Sequence, residues 1–282
     1  MFLVILKALR PKQWIKNFFV FVPLIFSREF KDIEAIKFSI LVFGIFCLTA
    51  SGIYLINDVL DRENDRKHHR KKHRPIAAGQ LPVSIAILIG ILLLGAGTTA
   101  AFCLNLQLGY IIIGYIALQV VYSFFLKHIV IIDLLSIAVG FVLRIFAGAA
   151  IIEVSISSWL LVITLLLALL LAAGKRLQET KTTNLLSRKV LNEYSPQFLD
   201  SVIKIILPAT LVSYLFYSFQ ASQSHYFFLT VPIVVYGLLR YLLILESSSV
   251  TESPTELLLS DRPLLISVVL WGTTTLVILS FS

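Results

Sequence analysis

Acidic side chains at helical spacing form the clearest candidate site in this sequence. Asp58, Asp61 and Asp65, here called the acidic cluster, follow one another at intervals of three and four residues, with Asn57 beside them. On a continuous helix they share one face, because an α-helix repeats every 3.6 residues. Carboxylates so close repel one another unless a cation lies between them. Mg²⁺ prefers hard oxygen ligands and joins them to substrate phosphates, so Asn57, Asp58, Asp61 and Asp65 are predicted to bind Mg²⁺.

A basic run follows the acids, from Arg66 to Arg74, and it ends before a turn indicated by Gly79. Arg66 and Arg74 are therefore predicted to contact an anionic substrate beside the acids. The competing interpretation of the acidic cluster itself is a solvated helix end without Mg²⁺, in which Arg62, Arg66 and Lys67 only balance the acidic charge.

Long apolar segments surround this polar stretch and must position it. The 282 residues are 58% hydrophobic and 14% charged, which is more apolar surface than a soluble domain of this length can bury. The apolar runs are about 20 residues long, enough to cross a bilayer. We predict an all-α, polytopic membrane protein with nine helices in a single domain, 1–282. The predicted spans are roughly 15–30, 36–58, 83–104, 108–126, 129–150, 157–174, 201–220, 226–245 and 263–281, with active-site segments at about 57–82 and 175–200.

Most of the 24 Lys and Arg residues fall on one side of these predicted spans. The positive-inside rule assigns that side to the cytoplasm. The N-terminus and the acidic cluster are therefore predicted to be cytoplasmic, and the C-terminus external. No cleavable signal-peptide pattern is found at the first span, and the expected location is a bacterial-type inner membrane.

Two further groups of polar residues lie near or within the predicted membrane. Lys12, Lys16 and Asn17 flank a tryptophan, a pattern that fits either an interfacial anchor or a phosphate-binding edge of the site. Asp133 and Arg144 fall within the fifth predicted span, where charged side chains are costly and normally find partners inside the bundle. For these two residues, substrate binding and a structural ion pair between helices are both open.

The motifs together resemble the UbiA superfamily of intramembrane prenyltransferases, whose members have nine helices. The first aspartate motif of that superfamily is similar to Asn57-Asp58-x-x-Asp61-x-x-x-Asp65 followed by Arg74-Pro75-Ile76-Ala77-Ala78-Gly79. One branch, the decaprenyl-phosphate phosphoribosyltransferases, resembles the chain further at Arg10–Asn17, Tyr122–Lys127 and Asp133–Gly148. The resemblance extends over nearly the whole chain.

The resemblance implies a reaction and a cofactor. That branch transfers 5-phosphoribose from phosphoribosyl pyrophosphate to a polyprenyl phosphate, with Mg²⁺, in the synthesis of lipid-linked arabinose for the cell wall. Most superfamily members carry a second motif, DxxxD, after the sixth helix, where this chain has Lys175-Arg176-Leu177-Gln178-Glu179. A donor with an additional phosphate suits the two cations at this place better than another pair of carboxylates.

Roles for individual residues follow from the motifs and this chemistry. Asp58, Asp61 and Lys127 are predicted to be catalytic. The predicted substrate-binding residues are Lys12, Lys16, Asn17, Asn57, Arg66, Arg74, Tyr122, Asp133, Arg144, Lys175 and Arg176. Lys16 or Arg144 is expected to hold the lipid phosphate.

Two other functions fit parts of the pattern. A prenyltransferase that attaches a polyprenyl chain to an aromatic acceptor needs the same bundle and first motif, but the absent DxxxD argues against it. A non-enzymatic lipid carrier or transporter would more often bind its cargo near the bilayer midplane than at its edge. The expected partners are the two substrates and the membrane, without nucleic acid, and the sequence carries no information on oligomeric state.

Overall fold

The all-α prediction is confirmed by a computed structural model, which describes residues 1–67, 69, 71–182, 193–221, 224–247 and 254–281. The α-helices within these ranges are α1 (Phe2–Ala8), α2 (Val22–Phe26), α3 (Ile33–Leu60), α4 (Arg62–Lys67), α5 (Val83–Leu104), α6 (Leu106–Phe124), α7 (Ile132–Ile151), α8 (Ser158–Thr182), α9 (Pro196–Phe216), α10 (Val231–Ser247), α11 (Pro254–Ser260) and α12 (Arg262–Phe281). Short 3₁₀-helices occupy Pro11–Phe21, Glu29–Lys31, Lys71–His73, Leu126–His128 and His225–Thr230, and a π-helical turn, Tyr217–Ala221, extends α9.

Eight helices in the described ranges are long and apolar enough to cross a membrane, so the chain is a multi-pass membrane protein. They coincide with the predicted spans from 36–58 to 263–281. The first predicted span, 15–30, is different, because Pro11–Phe21 is a 3₁₀-helix and only the five residues of α2 continue it as α-helix. Pro23 has no N–H with which to bond the carbonyl of Phe19, so one α-helical hydrogen bond is missing where the 3₁₀-helix is followed by α2.

Two compact units make up the chain. The first contains Met1–Leu24, Glu29–Lys127 and Leu143–Val154, and the second contains Ile25–Arg28, His128–Val142 and Ser155–Ser282. In the first unit α3 packs along α5 and α6. Its largest core cluster includes the buried side chains of Val42, Phe46, Leu108, Ile112 and Tyr115.

The second unit has a separate core. Within it α8 packs against α9, and α10 packs against α12. The buried side chains of Leu170, Leu199, Ile203, Tyr241 and Leu245 belong to one apolar cluster of this unit. Each polar group described below is therefore placed by the packing of its own unit.

Glycines permit two close approaches in the first unit. A Cβ added to Gly52 would lie 2.9 Å from the carbonyl oxygen of Gly90. The helices α3 and α5 therefore approach each other closely at this pair of glycines, where no side chain separates them. At Gly148 the carbonyl group of Val20 comes too near α7 for any side chain to fit. The crossing with α5 holds α3, whose last turn begins the acidic cluster.

The predicted helical spacing of the acidic cluster is confirmed across a break. Helix α3 ends at Leu60 and α4 begins at Arg62, with Asp61 between them. The Asp61 N–H still donates to the carbonyl oxygen of Asn57 at 2.9 Å, and the Asp65 N–H donates to that of Asp61 at 2.8 Å. The helical turn therefore continues through the acidic cluster, although the helix axis is interrupted.

Candidate active site

The carboxylates of the acidic cluster are paired with arginines. One guanidinium nitrogen of Arg74, Nη1, donates to Asp58 Oδ1 at 3.0 Å and to Asp65 Oδ2 at 2.6 Å. The Nη2 group of Arg10 donates to the same oxygen of Asp58. The cation expected between the carboxylates is therefore, in this structure, an arginine side chain.

These four side chains differ in their exposure to solvent. The side chains of Asp58 and Asp65 are 4% and 5% exposed, whereas those of Arg10 and Arg74 are 24% and 27% exposed. The two arginine side chains are therefore more accessible to solvent than the two carboxylates that they contact.

Arg10 is a member of the site that the motif analysis did not assign. Its backbone has φ 55°, in the left-handed region that residues with a side chain seldom adopt. Its guanidinium carbon lies 5.2 Å from the centre of the Tyr54 ring, one turn before Asp58 on α3. The signal in the sequence was the basic edge near the N-terminus, but that pattern does not tell which of its cations reaches the acids.

Ser51 fixes the segment around Arg10 on α3. The indole Nε1–H of Trp14 donates to Ser51 Oγ at 3.0 Å, and that hydroxyl donates to the carbonyl oxygen of Leu9 at 2.9 Å. Both contacts flank Arg10 in the chain. The N-terminal segment is therefore bonded to the helix that carries the acidic cluster, on the same side as the cluster.

Asp61 has a different partner. The ammonium group of Lys127, in the 3₁₀-turn after α6, donates to Asp61 Oδ1 at 3.1 Å. Here the carboxylate is the more accessible ion, since the side chain of Asp61 is 34% exposed and that of Lys127 is 16% exposed. The structure thus brings together the three residues predicted to be catalytic, although Asp58 and Asp61 face different cations.

The amide of Asn57 is oriented by α6. Ser123 donates its hydroxyl to Asn57 Oδ1 at 2.8 Å and is itself buried. Tyr122, its neighbour in the chain, is half-buried in the last turn of the same helix. Ser123 is a second site residue that the motif analysis did not assign.

Further predicted cations of the first unit are Lys12, Lys16 and Arg66. Lys12 is exposed and Lys16 is half-buried, both in the 3₁₀-helix that follows Arg10. Arg66 forms an ion pair with Glu63 at 3.1 Å, and its Nε–H donates to the carbonyl oxygen of Ala77 at 3.2 Å. Arg66 therefore joins α4 to the following turn.

A separate polar group lies deeper in the first unit, around Arg144. The guanidinium group donates through Nε to Asn17 Oδ1 at 2.9 Å and through Nη2 to the Tyr115 hydroxyl at 2.8 Å. It also lies over the rings of Tyr115 and Phe46, at 4.8 and 5.5 Å from their centres. Two predicted substrate-binding residues, Asn17 and Arg144, are thus brought together, and Arg144 is only 4% exposed.

In the second unit Asp133 and Arg176 form a buried ion pair. Arg176 Nε donates to Asp133 Oδ2 at 2.8 Å, and the two side chains are 1% and 0% exposed. Arg176 also binds Glu179 at 2.5 Å. The structural alternative considered for Asp133, an ion pair between helices, is therefore present, since Asp133 belongs to α7 and Arg176 to α8.

Tyr194 completes this pair. Its hydroxyl donates to Asp133 Oδ1 at 2.5 Å and accepts the backbone N–H of Ile131 at 2.7 Å. Burial, followed by the hydrogen bond to Asp133, raises the pKa of the Tyr194 hydroxyl above its usual value. Tyr194 therefore remains a hydrogen-bond donor at neutral pH.

Lys175 is the more accessible of the two cations that replace the second aspartate motif. Its side chain is 37% exposed, and its ammonium group lies 3.9 Å from Glu179. Of the predicted segment 175–200, residues 183–192 lie outside the described part of the chain. The part that is described shows α8 running on to Thr182 and α9 beginning at Pro196.

The donor set of the acidic cluster fits Mg²⁺ in its chemistry. Its carboxylates and the neighbouring amide supply oxygen ligands of the kind that Mg²⁺ prefers, and Asp58 with Asp65 already shares a single cationic nitrogen. Within the described residues, however, no three His, Cys, Asp or Glu side chains converge as a preformed metal site. The present side-chain positions are those of a cluster neutralised by Arg10, Arg74 and Lys127.

Known proteins resemble this chain in sequence and in fold. The model of the UbiA prenyltransferase family matches residues 18–259. The decaprenyl-phosphate phosphoribosyltransferase of Mycolicibacterium smegmatis is 34% identical to this chain, over 95% of this chain and 89% of its own length. That of Corynebacterium glutamicum is 35% identical, over 94% of this chain and 83% of its own length. A solved UbiA homolog from Archaeoglobus fulgidus, bound to GPP and Mg²⁺, superposes with a TM-score of 0.75 at 19% identity, covering 98% of this chain and 99% of that one. Because the family model and full-length relatives agree, the chain belongs to the UbiA prenyltransferase family.

Proposed function

We propose that this protein transfers 5-phosphoribose from phosphoribosyl pyrophosphate to a polyprenyl phosphate of decaprenyl type and releases pyrophosphate. The observation that carries the proposal is its similarity, over almost the whole chain, to proteins named decaprenyl-phosphate phosphoribosyltransferase. The accessible cation Lys175, at the place of a second aspartate motif, supports the same donor. The product would be a precursor of lipid-linked pentose for the cell wall.

The acidic cluster is assigned to the pyrophosphate end of the donor. Asp58, Asp61 and Asp65 would hold Mg²⁺, with the Asn57 amide as a further ligand, and the ion would supply charge neutralisation for the leaving pyrophosphate. The solved homolog that carries Mg²⁺ with a prenyl diphosphate supports a divalent cation in this fold. Ser123 would keep the Asn57 amide in one orientation through the hydrogen bond it already makes.

Lys127 is assigned a catalytic role at the same place. Its ammonium group lies at hydrogen-bond distance from Asp61, and its side chain is largely buried. A lysine held there can place positive charge beside a departing diphosphate without having to be ordered when the substrate binds. Arg74 would bind the diphosphate, since its side chain is 27% exposed while the carboxylates that it contacts are almost fully buried.

The acceptor phosphate does not need a strong general base. A polyprenyl phosphate is already anionic near neutral pH, so one of its oxygens can attack the anomeric carbon directly. Arg144 or Lys16 is assigned to bind this phosphate, and a guanidinium group can do so through two parallel hydrogen bonds. Asn17 and Tyr115 hold that guanidinium in one orientation.

A single displacement at the anomeric carbon inverts its configuration. The reaction would pass through an oxocarbenium-like state, with the bond to pyrophosphate breaking as the bond to the lipid phosphate forms. NMR analysis of the lipid product tests this step. A product that retained the donor configuration would exclude a single displacement.

The 5-phosphate of the donor is assigned to basic side chains outside the acidic cluster. Lys12 and Lys175 are accessible for this purpose, being exposed and 37% exposed respectively. Arg176 was predicted for the same role, but its present partners are Asp133 and Glu179. A donor-binding role for Arg176 therefore stays a prediction, which the variants described in the Discussion separate from a structural role.

The site is proposed to face the cytoplasm of a bacterial-type inner membrane. In the topology predicted from the sequence, the basic residues that flank the spans lie mostly on the side of the acidic cluster, which the positive-inside rule assigns to the cytoplasm. Phosphoribosyl pyrophosphate is made in the cytoplasm, so the donor would reach the acidic cluster without crossing the membrane.

A transfer assay tests the proposal directly. Purified protein is incubated with Mg²⁺, a polyprenyl phosphate and labelled phosphoribosyl pyrophosphate, and label is followed into the organic phase with and without a chelator. We expect Mg²⁺-dependent transfer. Activity only with a polyprenyl diphosphate and an aromatic acid would instead identify an ordinary prenyltransferase.

A further inference from the structure

We propose that Arg10 and Arg74 are exchangeable counter-ions of the acidic cluster. When the donor binds, the two arginines move from Asp58 and Asp65 to its diphosphate group, and the aspartates then bind the divalent cation. Binding of the cation therefore depends on the diphosphate. The inference rests on the proposed function, because it takes a diphosphate-bearing donor and a divalent cation as the ligands. It assigns Arg10 a role in the reaction, and it predicts that the two ligands bind cooperatively.

The first argument is that Arg74 and a metal ion need the same oxygens. Arg74 Nη1 lies 3.0 Å from Asp58 Oδ1 and 2.6 Å from Asp65 Oδ2, between the two carboxylates. Arg10 donates to the same oxygen of Asp58. Asp58 Oδ1 already accepts from two guanidinium groups, and a carboxylate oxygen has two lone pairs. A cation that binds this oxygen directly must therefore displace at least one of the arginines.

The second argument is the charge of the group. Asp58, Asp65, Arg10 and Arg74 together have no net formal charge. A divalent cation added alone would leave excess positive charge beside carboxylates that are almost fully buried, which is unfavourable where solvation is poor. A diphosphate group adds more negative charge than the ion adds positive charge, so the two ligands together relieve the excess.

The third argument is the order in which a ligand meets these side chains. The side chains of Arg10 and Arg74 are about a quarter exposed, whereas those of Asp58 and Asp65 are almost fully buried. A diphosphate that approaches from solvent therefore contacts Arg10 and Arg74 first, and guanidinium groups bind phosphate oxygens through charge-assisted hydrogen bonds. These bonds would replace those that each arginine loses at Asp58 and Asp65.

Asp61 shows the contrast within the same cluster. Its side chain is 34% exposed and its partner Lys127 is 16% exposed, so this carboxylate can be reached from solvent without the displacement of an arginine. We therefore expect Asp61 to give the weak metal affinity that remains without diphosphate. Asp58 and Asp65 would add their affinity only once the arginines have moved.

The experiment measures metal binding without any transfer reaction. Mn²⁺ is titrated into detergent-solubilised protein without phosphate compounds, and free Mn²⁺ is followed by its electron paramagnetic resonance signal. Arg74→Gln and Arg10→Gln are expected to bind Mn²⁺ about tenfold more tightly than the wild type, a size typical of coupling between two ligands. Arg74→Lys, which keeps the charge, should bind as weakly as the wild type.

The matched control is Lys37→Ala, which removes a cation from α3, the helix that carries Asp58. Lys37 is 62% exposed and pairs only locally, with Glu34, so its removal should leave Mn²⁺ affinity unchanged. If both glutamine variants fold, as judged by their melting temperatures, and bind Mn²⁺ no more tightly than the wild type, the exchange is wrong. If Arg74→Gln does not fold, Arg10→Gln decides the question alone.

The titration also separates this inference from the proposed function. It contains no ribose donor and no lipid, so a protein without phosphoribosyl transfer can still show the tightened Mn²⁺ binding. That combination would overturn the donor assignment and leave the counter-ion exchange standing. If the wild type transfers phosphoribose but the glutamine variants bind Mn²⁺ with unchanged affinity, the proposed function stands and the counter-ion exchange is wrong.

Discussion

The Tyr194 hydroxyl lies 2.5 Å from Asp133 and satisfies one carboxylate oxygen while Arg176 satisfies the other. Asp133 belongs to the first turn of α7, and Tyr194 lies just before α9. One buried carboxylate therefore connects three parts of the second unit. Since Asp133 is fully buried, both of its oxygens need a hydrogen-bond donor.

Replacement of Tyr194 by Phe should destabilise the protein. One oxygen of Asp133 and the N–H of Ile131 would lose their partner at once, which we expect to lower the free energy of unfolding by about 1–3 kcal/mol. Unfolding in mixed micelles with increasing dodecyl sulfate, followed by circular dichroism, measures the change. Tyr226→Phe is the control, because Tyr226 is 69% exposed, and an equal loss in both variants would contradict the structural role of Tyr194.

Replacement of Arg176 by Met should cost more than replacement of Lys175 by Met. The first leaves Asp133 charged and buried without its cation, which costs about 3–5 kcal/mol, whereas removal of both ions together costs much less. The double variant Asp133→Leu with Arg176→Met should therefore be more stable than Arg176→Met alone. The same unfolding measurement compares the three variants.

Donor affinity separates the two roles proposed for these cations. Lys175→Met should be more stable than Arg176→Met, because the side chain of Lys175 is 37% exposed and that of Arg176 is 1% exposed. A raised KM for phosphoribosyl pyrophosphate in this variant would support Lys175 at the donor phosphate. An Arg176→Met protein that was as stable as the wild type but bound donor weakly would show that Arg176 acts on the substrate and not on the fold.

The membrane spans were predictable because their signal is local. Each of the eight spans is a run of apolar residues long enough to cross a bilayer, and such a run can be seen in the sequence without knowledge of its neighbours. The spacing of Asp58, Asp61 and Asp65 was equally local, since hydrogen bonds between residues four apart maintain it. The 15–30 segment has the apolar length of a span, but the sequence pattern did not indicate that it forms a 3₁₀-helix followed by the short α2.

The partners of the acidic residues were not predictable in this way. Arg10 and Asp58 are 48 residues apart, Lys127 and Asp61 are 66 apart, and Tyr194 and Asp133 are 61 apart. Such pairs depend on which helix faces pack together. The sequence predicted that cations must balance the acids, but the packing of α3 against the N-terminal segment selected Arg10.

Asp61→Asn should abolish Mg²⁺-dependent transfer without loss of lipid binding. The change removes one negative charge from the part of the cluster most open to solvent, so a fall in turnover of at least about a hundredfold is expected if the carboxylate positions the metal. Binding of a fluorescent polyprenyl phosphate should be unaltered. Glu63→Gln is the matched control, because Glu63 is also a carboxylate, lies two positions after Asp61 and has a side chain that is 72% exposed. Comparable losses of turnover in both variants would contradict a special role for Asp61.

Arg144→Lys should weaken binding of the lipid acceptor nearly as much as Arg144→Met. Arg144 uses two different nitrogens to reach Asn17 and Tyr115, and an ammonium group cannot reproduce that fork. We expect the KM for polyprenyl phosphate to rise about tenfold in both variants while the KM for the donor changes little, which corresponds to loss of roughly one charge-assisted hydrogen bond. Full rescue by lysine would show that only the charge matters, and an equal rise for the donor would assign Arg144 to the other substrate.

Accessibility of introduced cysteines should reveal the orientation of the chain. In a background without Cys47 and Cys103, a single cysteine is placed at Lys72 or at Gln107, both of which are exposed. Lys72 lies in the basic run beside the acidic cluster, and Gln107 lies in the first turn of α6, at the opposite end of α5. A thiol reagent that cannot cross the membrane is then added to intact cells.

Only Gln107→Cys should be labelled in intact cells, because the basic run is retained on the cytoplasmic side. Both variants should be labelled after the membrane is opened with detergent, which serves as the control for reactivity. Labelling of Lys72→Cys in intact cells would place the acidic cluster outside the cytoplasm. A cytoplasmic phosphoribosyl donor could not then reach that site, so the same result would also overturn the proposed function.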